Sequence, residues 1–152
     1  MKYLRFIALG LGLIFLLFYF SIGYKNDRIK LQTQQEQITN QTQWETKTDE
    51  QEPILIKVTP LQLGAGQDSW RFEVDFTTHS IDLDMDVAKV VSLVDDKGND
   101  FLPISWEGPG PGGHHISGNL IFNAITPMPK FVELKIKEVG GISERSFRWD
   151  IQ

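Results

Sequence analysis

The sequence predicts a mainly β domain held behind an apolar amino-terminal helix. Three observations lead there: an unbroken apolar run at Phe6–Phe20, a Gln- and Thr-rich stretch after it, and a period-two alternation of apolar residues from Pro53 to the end.

The apolar run "FIALGLGLIFLLFYF" continues through Ser21–Tyr24 before Lys25 breaks it. At 1.5 Å per helical residue, residues 6–24 reach about 28 Å, close to the hydrocarbon thickness of a bilayer. Residues 1–24 are therefore expected to be a signal anchor, contacting lipid through residues 6–24. A cleaved signal peptide is the competing reading, because Ser21 and Gly23 occupy small-residue positions of a cleavage site. The run is longer than an ordinary signal core, however, and bulky Phe18, Tyr19 and Phe20 stand directly before that site. The three tyrosines, Tyr3, Tyr19 and Tyr24, all lie in or beside the segment, at depths suited to a membrane interface. Positive charge does not set the orientation: Lys2 and Arg5 face Lys25, Arg28 and Lys30. A short amino-terminal tail, one span and one carboxy-terminal domain is the layout of an exported signal-anchor protein, so the domain is expected outside the cytoplasm of a bacterial cell.

Residues 25–52 read as a stalk. Their apolar residues are too sparse to form a stripe that offsets the entropy of ordering. Asn40-Gln41-Thr42 matches a glycosylation sequon, which matters only in a eukaryotic secretory pathway.

Residues 53–152 form the domain. In "WRFEVDFTT", Trp70, Phe72, Val74 and Phe76 share one face, while Arg71, Glu73, Asp75 and Thr77 share the other: a strand with one face on a core and one in water. The same alternation is expected in Ile54–Val58, Val87–Val94, Leu102–Trp106, Ile116–Phe122, Val132–Ile136 and Phe147–Ile151. Turn signals separate them at Gly64-Ala65-Gly66, Asp95–Asn99, the Gly/Pro loop at 108–113, Thr126–Pro129 and Gly140-Gly141. Short strands at this spacing, with no persuasive helix, predict an immunoglobulin-like antiparallel β-sandwich whose core holds Trp70 and Trp149. There is no cysteine, which removes disulfides, lipoprotein acylation and a blue-copper thiolate.

Charge narrows the partners. Lys2 and Arg5 precede the span, leaving 13 of the 15 basic residues against 20 acidic ones, a formal charge of −7 on the rest of the chain. An acidic body lacks the electrostatic footprint for nucleic acid and is repelled by an anionic leaflet.

Four constellations could carry chemistry. In "GPGPGGHH", His114 and His115 follow six consecutive Gly and Pro residues, and His79 in "TTHS" is the only other histidine. Adjacent residues of a regular strand point to opposite faces, so two imidazoles chelate one ion only where the backbone is irregular. His79, His114 and His115 with a carboxylate would suit zinc or copper; otherwise each histidine orders a neighbouring loop. Asp82, Asp84 and Asp86 have the spacing that opens a calcium loop, but Val87 stands where glycine is required and Leu93 where glutamate is. They are expected on the wet face of an edge strand. Trp106 and Glu107 beside the loop could contact a sugar or peptide ligand, although the phase Trp106 shares with Leu102 and Ile104 favours burial. Ser105, Ser117 and His114 allow a triad on paper, but no nucleophile motif supports one, and the Gly/Pro loop lacks the Lys-Ser/Thr ending of a phosphate cradle.

The run "DDKGNDFLPISWEGPGPGGHHISGNLIF" to "GGISERSFRWDI", with "THS" upstream, resembles a β-sandwich domain of membrane-anchored or secreted bacterial proteins, a group with no assigned activity. The resemblance covers residues 53–152. It implies an exported β-sandwich and supplies no catalytic residue. The expectation is thus a non-catalytic, membrane-anchored binding domain with a protein or cell-envelope partner and no cofactor. The alternatives are a copper- or zinc-binding module and a cell-envelope enzyme.

Overall fold

The computed structural model describes residues 44–151, within a compact unit that begins at Gln43. The expected span at 6–24 and most of the expected stalk lie outside the described residues. Among those described, no helix is long and apolar enough to cross a membrane.

The described residues are mainly β, in two antiparallel sheets. The elements are β1 (Lys47–Asp49), β2 (Ile54–Gln62), β3 (Ser69–Thr78), α1 (Val87–Val90), β4 (Val91–Asp95), β5 (Asp100–Phe101), β6 (Ser105–Glu107), β7 (His115–Asn123), β8 (Phe131–Val139) and β9 (Ile142–Asp150). The first sheet runs β1-β2-β3-β7-β6 and the second β5-β4-β8-β9. Inward residues of both sheets form one core, an arrangement consistent with a β-sandwich.

The alternation in the sequence accounts for that core. On β3 the Trp70 phase is buried throughout, and its partners Phe122, Leu120, Gly118 and Ile116 on β7 face the same way. Trp70 and Trp149 are both core residues, as expected. Phe72 joins the sheets: its ring meets Phe122 edge-on at 5.8 Å and tilts against Trp149 at 5.6 Å. Each such side chain contributes about 1.5–3 kcal/mol by leaving water. The Trp70 Nε1–H is satisfied by the Gly64 carbonyl, so its burial leaves no orphan donor.

Three expectations are corrected. Val87–Val94 is not one strand: Asp86 accepts from the Ala88 N–H and caps the single turn α1, and β4 starts only at Val91. Leu102–Trp106 is not one strand either. Pro103 lies where the chain leaves β5 of the second sheet for β6 of the first, and Leu102 and Ile104 face solvent, 69% and 57% exposed. Asp82, Asp84 and Asp86 are not on an edge strand, because residues 79–86 form a connection from β3 to α1. Leu83 is its buried anchor: its N–H donates to the Gly113 carbonyl and its carbonyl accepts from the Gly112 N–H.

Residues 44–52, the end of the expected stalk, include β1, which pairs with β2. Trp44 packs on the core, the Trp149 Nε1–H donates to the Glu45 carbonyl, and Arg145, 1% exposed, reaches across from β9. Arg145 donates to Asp49 Oδ1 at 3.0 Å, the Val139 carbonyl at 2.6 Å and the Gln51 carbonyl at 3.0 Å. A polar-looking sequence is ordered here because β2 pairs with its backbone and β9 of the other sheet supplies donors to Asp49 and to the Glu45 and Gln51 carbonyls.

Candidate functional site

The segment from Leu102 to His115 covers the flank opposite β1. The Gly/Pro loop within it is fixed at both ends. The Trp106 Nε1–H donates to the Pro109 carbonyl at 2.9 Å, and the two Leu83 backbone bonds hold Gly112 and Gly113. Gly113 has φ 77°, a conformation that side chains resist. Gly118 is required for a different reason: a Cβ there would stand 2.6 Å from the Glu107 carbonyl oxygen and 2.7 Å from the Trp106 ring. The loop is therefore an ordered turn folded over Trp106, yet residues 107–115 are all exposed.

The histidines stand at one end of the first sheet. The Thr78 N–H donates to the His114 carbonyl, Thr77 pairs with His115, and His79 follows β3 immediately. The side chains of His114 and His115 turn to separate carboxylates. His114 Nε2 lies 3.5 Å from Asp82 Oδ1 on the β3–α1 connection. His115 Nδ1 lies 3.7 Å from Asp75 Oδ1 and 3.1 Å from the Thr77 hydroxyl. Because the Thr77 hydroxyl donates to Asp75 at 3.0 Å, its oxygen accepts from His115 Nδ1–H. Among the described residues no group of three or more His, Asp or Glu side chains is placed to hold a metal ion.

Trp106 and Glu107 have intramolecular partners. Trp106 is partly buried against the core, and Glu107 accepts from Arg71 at 2.6 Å across β7. Arg71 is exposed enough that this ion pair orients side chains more than it stabilises the fold. What the sequence did not reveal is that Leu102 and Ile104 are the exposed apolar residues of this flank. Pro103 between them was the available signal, since proline inside an alternating run argues against a central strand.

Two carboxylates of the domain are held ionised. For Asp49, burial opposes the charge, but hydrogen bonds from the Gln51 side chain and backbone, and from Arg145, win and hold the carboxyl below its ordinary 3.8. Asp95 behaves alike: burial opposes, and the Asn99 side chain, the Asn99 and Lys97 backbone N–H groups and the Lys97 charge lower it. Both belong to structural turns, not to the exposed flank.

No protein-family model matches the chain, and no curated protein matches it.

Proposed function

We propose that this protein is a single-pass membrane protein that presents a non-catalytic, immunoglobulin-like binding domain outside the cytoplasm. Strand order supports the finer fold: β2-β3-β7-β6 stand as A-B-E-D, and β5-β4-β8-β9 as C′-C-F-G. The anchoring rests on the apolar run at 6–24.

The observation that carries the binding reading is the flank from Leu102 to His115. It combines two exposed apolar side chains, an ordered turn and two imidazole–carboxylate pairs on a rigid β scaffold. A surface already fixed in shape loses little entropy on binding, and loops on a rigid scaffold are where recognition concentrates. The expected partner is a protein or another envelope component that offers apolar and polar groups together.

A photo-crosslinking residue placed at Leu102 in the full-length protein in cells should give a discrete adduct. The same residue at Lys57, exposed on β2, should not. Equal labelling at both positions, or none at Leu102, contradicts the reading. A reporter fused after Gln152 should work only if it functions when exported; activity of a cytoplasmic reporter alone contradicts the orientation.

A copper or zinc module is the second reading, favoured by the placement of His79, His114 and His115 at one sheet end. It predicts saturable Zn(II) or Cu(II) binding tighter than about micromolar that His114→Ala with His115→Ala removes. Binding that survives the double substitution ends it. An envelope enzyme gains no support from hydrogen bonding, since no hydroxyl is bonded to an imidazole Nε2 among the described residues.

A further inference from the structure

The four edge strands differ sharply in length. β1 and β6 have three residues and β5 two, whereas β9 has nine. Short edges offer little backbone to an incoming strand; a long one is a template for pairing. No backbone hydrogen bond reaches the outer edge of β9 among the described residues.

The free edge has a definite polarity. The Ile151 N–H donates to the Lys130 carbonyl, so odd-numbered β9 residues bond inward to β8. Antiparallel pairs alternate, which turns the N–H and C=O groups of Glu144, Ser146, Arg148 and Asp150 outward. Their side chains are all exposed, on the face away from the core. An incoming strand must therefore meet these four residues.

A second copy of β9 fits them in one register. With Ser146 opposite Ser146, each Glu144 faces Arg148 of the other copy, giving two opposite-charge pairs. A shift that sets Glu144 against Asp150, or Arg148 against Arg148, opposes like charges. A shift that sets Glu144 against Ser146 leaves no ion pair. Cross-strand pairs of opposite charge stabilise and like charges directly opposite destabilise, so charge selects the Ser146-centred register. Arg145 is no obstacle: its charge is spent on Asp49 and two carbonyls within its own domain. Glu144 also accepts from Lys135 at 2.7 Å, and Arg148 lies beside Asp150 and Glu133; these pairs are on the exposed face, where an ion pair is worth little, so an incoming strand can share or replace them.

We propose that two copies of this chain associate through antiparallel β9–β9 pairing about Ser146, joining their second sheets into one continuous sheet with two-fold symmetry. The contact is isologous and closes at two copies. It is distinct from the Leu102–His115 flank and does not depend on its function.

The absence of native cysteine makes the test direct. In the register above the Ser146 Cα atoms would lie about 5.5 Å apart, within disulfide range. Under mild oxidation of membranes carrying the full chain, Ser146→Cys should form a disulfide dimer and Lys57→Cys should not. Adding Arg148→Glu should lower the Ser146→Cys dimer about tenfold, and adding Glu144→Arg to that variant should restore it. No dimer at Ser146→Cys overturns the proposal. So does equal dimer at Lys57→Cys, or a yield indifferent to the charge changes while thermal unfolding shows the variants folded.

Discussion

Where residues 44–51 meet β9, charge is buried and every arm of it is used. Where residues 102–115 cross the opposite flank, apolar and ionisable side chains are left in water. Arg145 satisfies a carboxylate and two carbonyls from a nearly sealed position, and Trp149 takes a further carbonyl from the same segment. On the other flank His114 and His115 are exposed, their carboxylate partners are at ion-pair distance only, and Leu102 and Ile104 cover nothing. Groups of similar chemistry thus do different work: buried and fully paired, they specify the fold; exposed on a fixed turn, they are free to meet something else.

The largest expected break in this contrast is Arg145→Met. Removing one partner of a buried pair strands the other, and the cost is about 3–5 kcal/mol, measurable by chemical unfolding. A loss below 1 kcal/mol would mean that segment 44–51 contributes little to the fold. Next comes Gly118→Ala, where a methyl group would press on the Glu107 carbonyl and the Trp106 ring; overpacking of this kind costs about 1–3 kcal/mol. An unchanged stability would show that the turn over Trp106 yields easily.

Acid acts on the buried and half-buried carboxylates. Asp49 and Asp95 are lowered in the folded state, so they hold fewer protons than in the unfolded chain as pH falls through 3.8. Their stabilisation is present above that value and is lost as pH drops through their folded values. The midpoint of thermal unfolding should therefore fall steeply below about pH 4, and Asp95→Asn should start lower and flatten the slope. An equally steep slope in Asp95→Asn would assign acid sensitivity elsewhere. The smallest effect belongs to Leu102→Ser with Ile104→Ser, expected within about 0.5 kcal/mol of the parent, as for surface positions away from packing or pairing.

Alternation made the core of β2, β3, β7, β8 and β9 readable, because a half-buried strand writes its two faces into every second residue. The same rule misplaced Leu102 and Ile104. A two-residue period says which residues share a face only while the chain stays in one sheet, and Pro103 marks where it changes sheet. Arg145 was legible in principle, as a charge on the buried phase of Phe147 and Trp149, but two of its three partners, Asp49 and the Gln51 carbonyl, lie about a hundred residues earlier in a segment with no apolar pattern. The histidine pair was seen in the sequence. That His114 faces Asp82 depends on the Leu83 bonds to Gly112 and Gly113, and that His115 faces Asp75 depends on the β3–β7 register; both are long-range pairings with no local signature.

The most direct measurement compares two variants of the full-length protein side by side, reading thermal midpoint and photo-crosslinking from Ile104 in cells: Arg145→Met, and Leu102→Ser with His114→Ala and His115→Ala. Arg145→Met should lose stability heavily, while the flank variant should keep the parental midpoint and lose the adduct. A flank variant that unfolds early, or that keeps both midpoint and adduct, would contradict the division between a structural flank and a recognising one.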